Sequence, residues 1–126
     1  MFAGRPYKEG EPVESLEQEV NQLHSELCAG LADPKRLLIL YALSSGKLNV
    51  SEIAEKLNLA QPTASRHLKL LRERSLVIAE REGTSVYYTL ADRRVIDALD
   101  ILRAVLADHL HSQATLAQSA SDRLVE

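Results

Sequence analysis

Residues 61–77, "QPTASRHLKLLRERSLV", hold five basic groups counting His67, against the single acid Glu73. At 100° per residue Ala64, Leu68 and Leu71 share one helix face, with Arg66 and Lys69 opposite. Thr63 and Ser65 fall on the flanks near the first turn. Short polar side chains there let a helix approach closely, arginine can pair bidentately with guanine O6 and N7, and first-turn N–H groups favour phosphate. That chemistry is recognition of a DNA duplex; the competing reading is a solvated helix face. The other reactive groups are sparser. His24 and Cys28 stand four residues apart, half of a metal site, with Cys28 also a redox candidate. Asp108 and His111 are spaced i, i+3, and Asp97 lies three turns earlier on nearly the same face. In an antiparallel pairing across a two-fold axis, Asp97 of one copy would meet Asp108 and His111 of the other. Such a site at a dimer interface would take Zn²⁺ or Ni²⁺ more weakly than a closed four-ligand one. His109 and His111 diverge on a helix. Ser65, Arg66 and His67 cannot form a nucleophile–base pair with an orienting acid, and there is no glycine-rich phosphate loop, so an enzyme is not expected.

The charge distribution supports the duplex reading. The chain of 126 residues has a formal net charge of −3. Residues 1–33 carry two basic and seven acidic groups, residues 34–90 nine and five, and residues 91–126 four and six. A basic middle between acidic ends matters more to a polyanion than the overall sign. The length suits one domain. No apolar run approaches a membrane span, no signal-peptide core follows Met1, and the one cysteine cannot close an intrachain disulfide. These features predict a cytoplasmic protein without a membrane partner.

The elements that position the basic helix follow from periodicity. Residues 1–11 are expected as a flexible arm, 12–118 as the folded domain and 119–126 as a flexible tail. Leu16, Val20, Leu23 and Leu27 mark a first helix. Asp33-Pro34 places a capping carboxylate before a proline at the first helical position of "KRLLILYALSSG". Asn49 caps "VSEIAEKL", and Glu52 completes a capping box. "Asn-Leu-Ala" links that short helix to the basic one, whose cap position, Ala60, is a poor capper. After Leu76 the period changes to two: "VIAE" faces Val86, Tyr88 and Leu90 across a turn at Arg81-Glu82-Gly83. A last helix begins after Ala91-Asp92 and reaches at least His111. It is apolar over so much of its surface that it should be buried on two sides. The expected fold is mainly α with a small β-hairpin, a winged helix-turn-helix.

From about Leu27 to Leu90 the chain resembles the ArsR/SmtB family of bacterial winged-helix repressors. "CAGLADPKRLLILYAL" resembles the family's second-helix signature, "VSEIAEKLNLAQPTASRHLKLLRERSLV" its helix-turn-helix and "AEREGTSVYYTL" its wing. The resemblance implies a homodimer built from the first and last helices that binds palindromic operator DNA until an inducer releases it. It places Gln61, Thr63, Ser65 and Arg66 at bases and Arg81 at the backbone; His67 and Lys69 complete the DNA-binding set. Where many members have Cys-x-Cys, this chain has Asn49-Val50-Ser51, which excludes a thiolate metal site there. At the family's second metal site Val95, Asp97, Asp108 and His111 stand at the ligand positions, a degraded pattern.

The expected function is therefore a homodimeric, sequence-specific transcriptional regulator that represses by occluding a promoter. The alternatives are a MarR-type regulator sensing an organic ligand, which would favour a roomier and more aromatic pocket, and a winged helix used for protein–protein assembly.

Overall fold

The computed structural model describes residues 4–124, so the outer ends of the expected arm and tail lie outside the described residues. Helix α1 spans Glu14–Leu23, a π-helical turn His24–Cys28 follows, and α2 is Ala29–Leu31. The sequence predicts one uninterrupted helix here. Instead the Ala29 N–H reaches back five residues to the His24 carbonyl, and an apolar period alone does not report such a turn. Before α1, Glu11 gathers the chain. Its carboxylate accepts from Arg5 and from the Lys8 N–H at 3.2 Å, and its carbonyl accepts from the Tyr7 hydroxyl at 2.6 Å. The Arg5 guanidinium, helped by that N–H, holds the carboxyl down to about 2.

Helix α3 is Pro34–Leu43, started as expected: the Asp33 carboxylate accepts from the Lys35 N–H at 2.8 Å. Strand β1, Leu48–Asn49, leads into α4, Val50–Leu57, where the capping box forms in full. Asn58 ends α4 in the left-handed region at φ 54°, and after the link α5 runs Gln61–Glu73. Ala60 caps it without a side-chain bond. Ser75, also left-handed at φ 59°, closes its far end, with the Leu76 N–H bonded to the Leu71 carbonyl at 2.9 Å. Strands β2, Val77–Glu82, and β3, Ser85–Leu90, form the hairpin. The turn is Gly83-Thr84, so of the expected Arg81-Glu82-Gly83 only Gly83 lies in it, since Arg81 and Glu82 already pair with Val86 and Ser85. The hairpin is one part of a three-stranded antiparallel sheet in the order β1-β3-β2. β1 was not foreseen because two residues are too short to show alternation.

The chain divides into two compact units, one ending at Asp92 and the other beginning at Arg93. In the first unit the core is Ile39, Leu40, Leu43, Ile53, Ala64, Leu68, Leu71, Leu76 and Val77, all buried. The second unit is one helix, α6, Arg94–Leu124, of 31 residues, with Ile96 and Leu99 buried. It continues through residues 119–124, where the sequence reading placed a tail. That stretch has no Pro or Gly, and alanine, arginine and leucine favour helix.

One close approach fastens the first helical segment to the end of α5. Gly30 is buried, and a Cβ there would stand 2.8 Å from Leu76 Cδ1 and 3.3 Å from Arg74 Cγ. Arg74 Nη1 donates to the Ser25 carbonyl at 2.9 Å, and Arg36 donates to the Gly30 and Ala29 carbonyls at 2.7 and 3.2 Å. Leu76 is buried and cannot retreat freely. Gly30→Val should therefore cost about 1–3 kcal/mol by overpacking, read as a lower urea midpoint at unchanged m-value. An unchanged midpoint would show that this contact does not fix the fold.

Candidate nucleic-acid interface

The inner face of α5 is set by Ala64, Leu68 and Leu71, each without exposed surface. Consequently Gln61, Ser65, Arg66, Lys69 and Arg72 are exposed on the outer half. Thr63 and His67 are half-buried on the opposite flank from Ser65. Arg66 Nη2 donates to Thr63 Oγ1 at 3.3 Å, which draws the guanidinium toward the helix N-terminus. The Ser51 hydroxyl reaches Gln61 Oε1 at 3.4 Å, linking the start of α4 to the start of α5. His67 is turned toward α3. The Asp33 carboxyl is held below its ordinary range first by the Lys35 N–H, and the charges of His67 and Arg36 add to that.

The hairpin sorts its charges by face. Directly paired residues share a face, so Arg81 goes with Val86 and, one pair on, Ala79 with Tyr88, while Glu80 and Glu82 go with Tyr87 and Ser85 on the other. Val86 and Tyr88 border a groove that Ser65 of α5 also lines, so Arg81 is on the side of the sheet that meets α5. The acids point away. Lys47 Nζ donates to Glu82 at 2.6 Å and sits 5.2 Å from the centre of the Tyr87 ring. Its pKa is raised, first by that bond. Sequence reasoning missed this contact because Lys47 lies 35 residues from Glu82.

The inducer candidates are more scattered. Asp97, Asp108 and His111 are all exposed on α6. Asp97 precedes Asp108 by about 16 Å of helix rise, so one copy cannot bring all three to a single ion. Among the described residues no three His, Cys, Asp or Glu side chains form a metal-holding group. Cys28 is an exposed free thiol within the π-helical turn. Among the described residues no helix is long and apolar enough to cross a membrane.

A short α4, a three-residue link, an outward-facing basic α5 and a hairpin with its cation on the α5 side define a winged helix-turn-helix of the DNA-binding kind. Residues 33–79 match the arsR family of bacterial regulatory proteins. The HTH-type transcriptional regulator NmtR of Mycobacterium tuberculosis is 40% identical over 101 residues, 79% of this chain and 80% of the relative. The transcriptional repressor SmtB homolog of Synechocystis is 38% identical over 98 residues, 78% of this chain and 70% of the relative. A homodimeric winged helix-turn-helix DNA-binding domain from Mycobacterium bovis superposes with a TM-score of 0.67 at 30% identity, covering 82% of this chain and 94% of that one. This chain belongs to the arsR family of bacterial transcriptional regulators.

The hairpin geometry makes Gly83 its most constrained position. Its φ is +63°, and Thr84 is not in the left-handed region, as in a type II′ turn. A β-branched residue is strained at that φ. Gly83→Val should loosen the turn, giving faster amide exchange along Glu82–Ser85, while α5 keeps its protection. Equal protection in the hairpin of both proteins would mean that the turn does not depend on glycine.

Proposed function

We propose that two copies of this chain bind one operator through their α5 helices and repress by occluding a promoter. The observation that carries this reading is the outward polar and cationic face of α5, fixed by complete burial of Ala64, Leu68 and Leu71. Arg66 reads a base edge, with Gln61, Thr63 and Ser65 beside it at the helix N-terminus. Lys69 and Arg81 meet phosphates, and His67 supports the helix from its flank. Two recognition helices about 34 Å apart would match one turn of B-DNA. The site of action is the cytoplasm, where a bacterial operator lies.

The second copy is called for by exposed apolar surface. On α6, Ile101, Leu102, Val105, Leu106 and Leu110 are each at least half exposed, as Val20 and Leu23 of α1 nearly are. Patches of that kind mark interaction sites, and the homodimeric M. bovis domain supports a copy of the same chain as the occupant.

The inducer reading concerns the same helix. Asp97, Asp108 and His111 share one face, so Asp97 from one copy and the other two from its partner supply two carboxylates and one imidazole to Zn²⁺ or Ni²⁺. Cys28 is the thiol alternative.

Three measurements test this function. Arg66→Ala should weaken operator binding by about 1–3 kcal/mol, whereas Lys69→Ala should weaken all duplexes alike and lower the salt slope by about one. Operator affinity of Arg66→Ala equal to wild type would place the reading face elsewhere. Leu106→Asp should weaken the dimer by about 3 kcal/mol or more, because its carboxylate would be buried unpaired; a stable dimer with unchanged operator binding would rule out this interface. Titration with Zn²⁺ or Ni²⁺ should lower operator affinity in wild type and not in His111→Ala. An identical response in both would remove the metal reading, and an oxidant response abolished in Cys28→Ser would point to the thiol.

A further inference from the structure

A polar groove of about 360 Å³ opens among α4, α5 and the hairpin. Asn49 and Ser51 line it at the start of α4, Ser65 on α5, and Thr84, Ser85 and Tyr88 on the hairpin. Five of these six side chains carry a hydroxyl, and no lining residue is acidic. Among the described residues, no hydrogen-bond partner takes up the hydroxyl of Ser65, Thr84 or Ser85, and Ser51 has only its long contact to Gln61. The nearest acid along the chain, Glu52, is engaged by the Asn49 N–H at 3.0 Å. Arg81 stands on the sheet face that borders the groove.

The dimensions of DNA say what this groove must face. The major groove is about 12 Å wide, and a helix with its side chains is about 10–12 Å across. Once α5 occupies it, no room remains beside the helix. The hairpin must then lie over the sugar–phosphate strand that bounds the groove, and the hollow between hairpin and α5 opens onto that strand. A phosphodiester accepts hydrogen bonds and donates none, and a hydroxyl can turn to donate. A carboxylate would repel it, and none lines the groove.

We infer that this groove seats one backbone phosphodiester of the bound duplex, held by the Ser51 and Thr84 hydroxyls. The inference rests on the DNA-binding reading of α5. Its role is to set register and orientation, since phosphate contacts carry no sequence information of their own. It also gives the Asn49-Val50-Ser51 segment a task other than metal binding.

The neutral donors make the test specific. A lysine contact releases counterions and so contributes to the salt slope, whereas a hydroxyl contact does not. The combined variant Ser51→Ala, Thr84→Ala should lose about tenfold in affinity, for operator and unrelated duplex alike, with an unchanged salt slope. Ethylation of one phosphate per half-site should block wild-type binding and cease to matter in the variant, while the other interfering phosphates keep their effect. Both side chains are exposed, and the single variants carry the same expectation at smaller size. Wild-type affinity in the combined variant, or a loss confined to the operator, would overturn the inference. Wild-type protein that binds no duplex would overturn the reading of α5, and this inference with it.

Discussion

Burial of Ala64, Leu68 and Leu71 governs the outward chemistry of this molecule. Each has no exposed surface, and together they fix the rotation of α5 about its own axis. A shift of one residue would rotate every other side chain by about 100° and carry Lys69 or Arg66 toward the core. A buried leucine contributes on the order of 1.5–3 kcal/mol, far more than an exposed cation gains from its surroundings. The apolar face therefore decides, and the cations follow. Recognition of a polyanion is in this sense a consequence of packing.

The acidic ends do not oppose this, because charge is sorted locally. On the hairpin the alternation of a strand places Arg81 toward α5 and sends Glu80 and Glu82 to the other face. Lys47 engages Glu82 there, so that acid is partly neutralised where the sheet is exposed. Glu52 is drawn into a capping box, and Asp33 into a helix start beside His67. Glu82, Glu52 and Asp33 thus each have a local structural task that engages the carboxylate. The Debye length of about 8 Å at physiological ionic strength makes this arrangement, more than the net charge, what a duplex would feel.

Local rules carried far in the sequence, and contacts between distant residues did not. The Asp33-Pro34 start, the Asn49–Glu52 capping box and the uncapped Ala60 were all legible, because each involves residues within a few positions. The buried face of α5 was legible from period alone. Gly83 takes the positive φ that its type suggests, while Arg81 and Glu82 continue the strand, because a short polar stretch does not show where pairing stops. β1 was invisible at two residues. The Lys47–Glu82 pair and the Arg74–Ser25 bond join residues 35 and 49 positions apart. No periodicity reports such pairs. The π-helical turn is equally silent, because its residues keep the apolar period of an ordinary helix.

The close approach at Gly30 ties the candidate dimer surface to the candidate DNA surface within one unit. Gly30 admits Leu76 at a distance a side chain would forbid, and Leu76 follows directly on the turn that ends α5. Arg74, from the same turn, reaches the Ser25 carbonyl inside the π-helical turn, and Arg36 holds the two carbonyls that come next in α2. The end of α5 is thus held to the first helical segment by a steric contact and by one charge-assisted hydrogen bond to a backbone carbonyl, and α3 is held to it by two more. Close-packed contacts do not deform gradually. A displacement of the first helix by a second copy would have to break these contacts or carry the end of α5 with it. The same residues that look structural in one chain therefore set how rigidly two reading helices can be spaced in a pair.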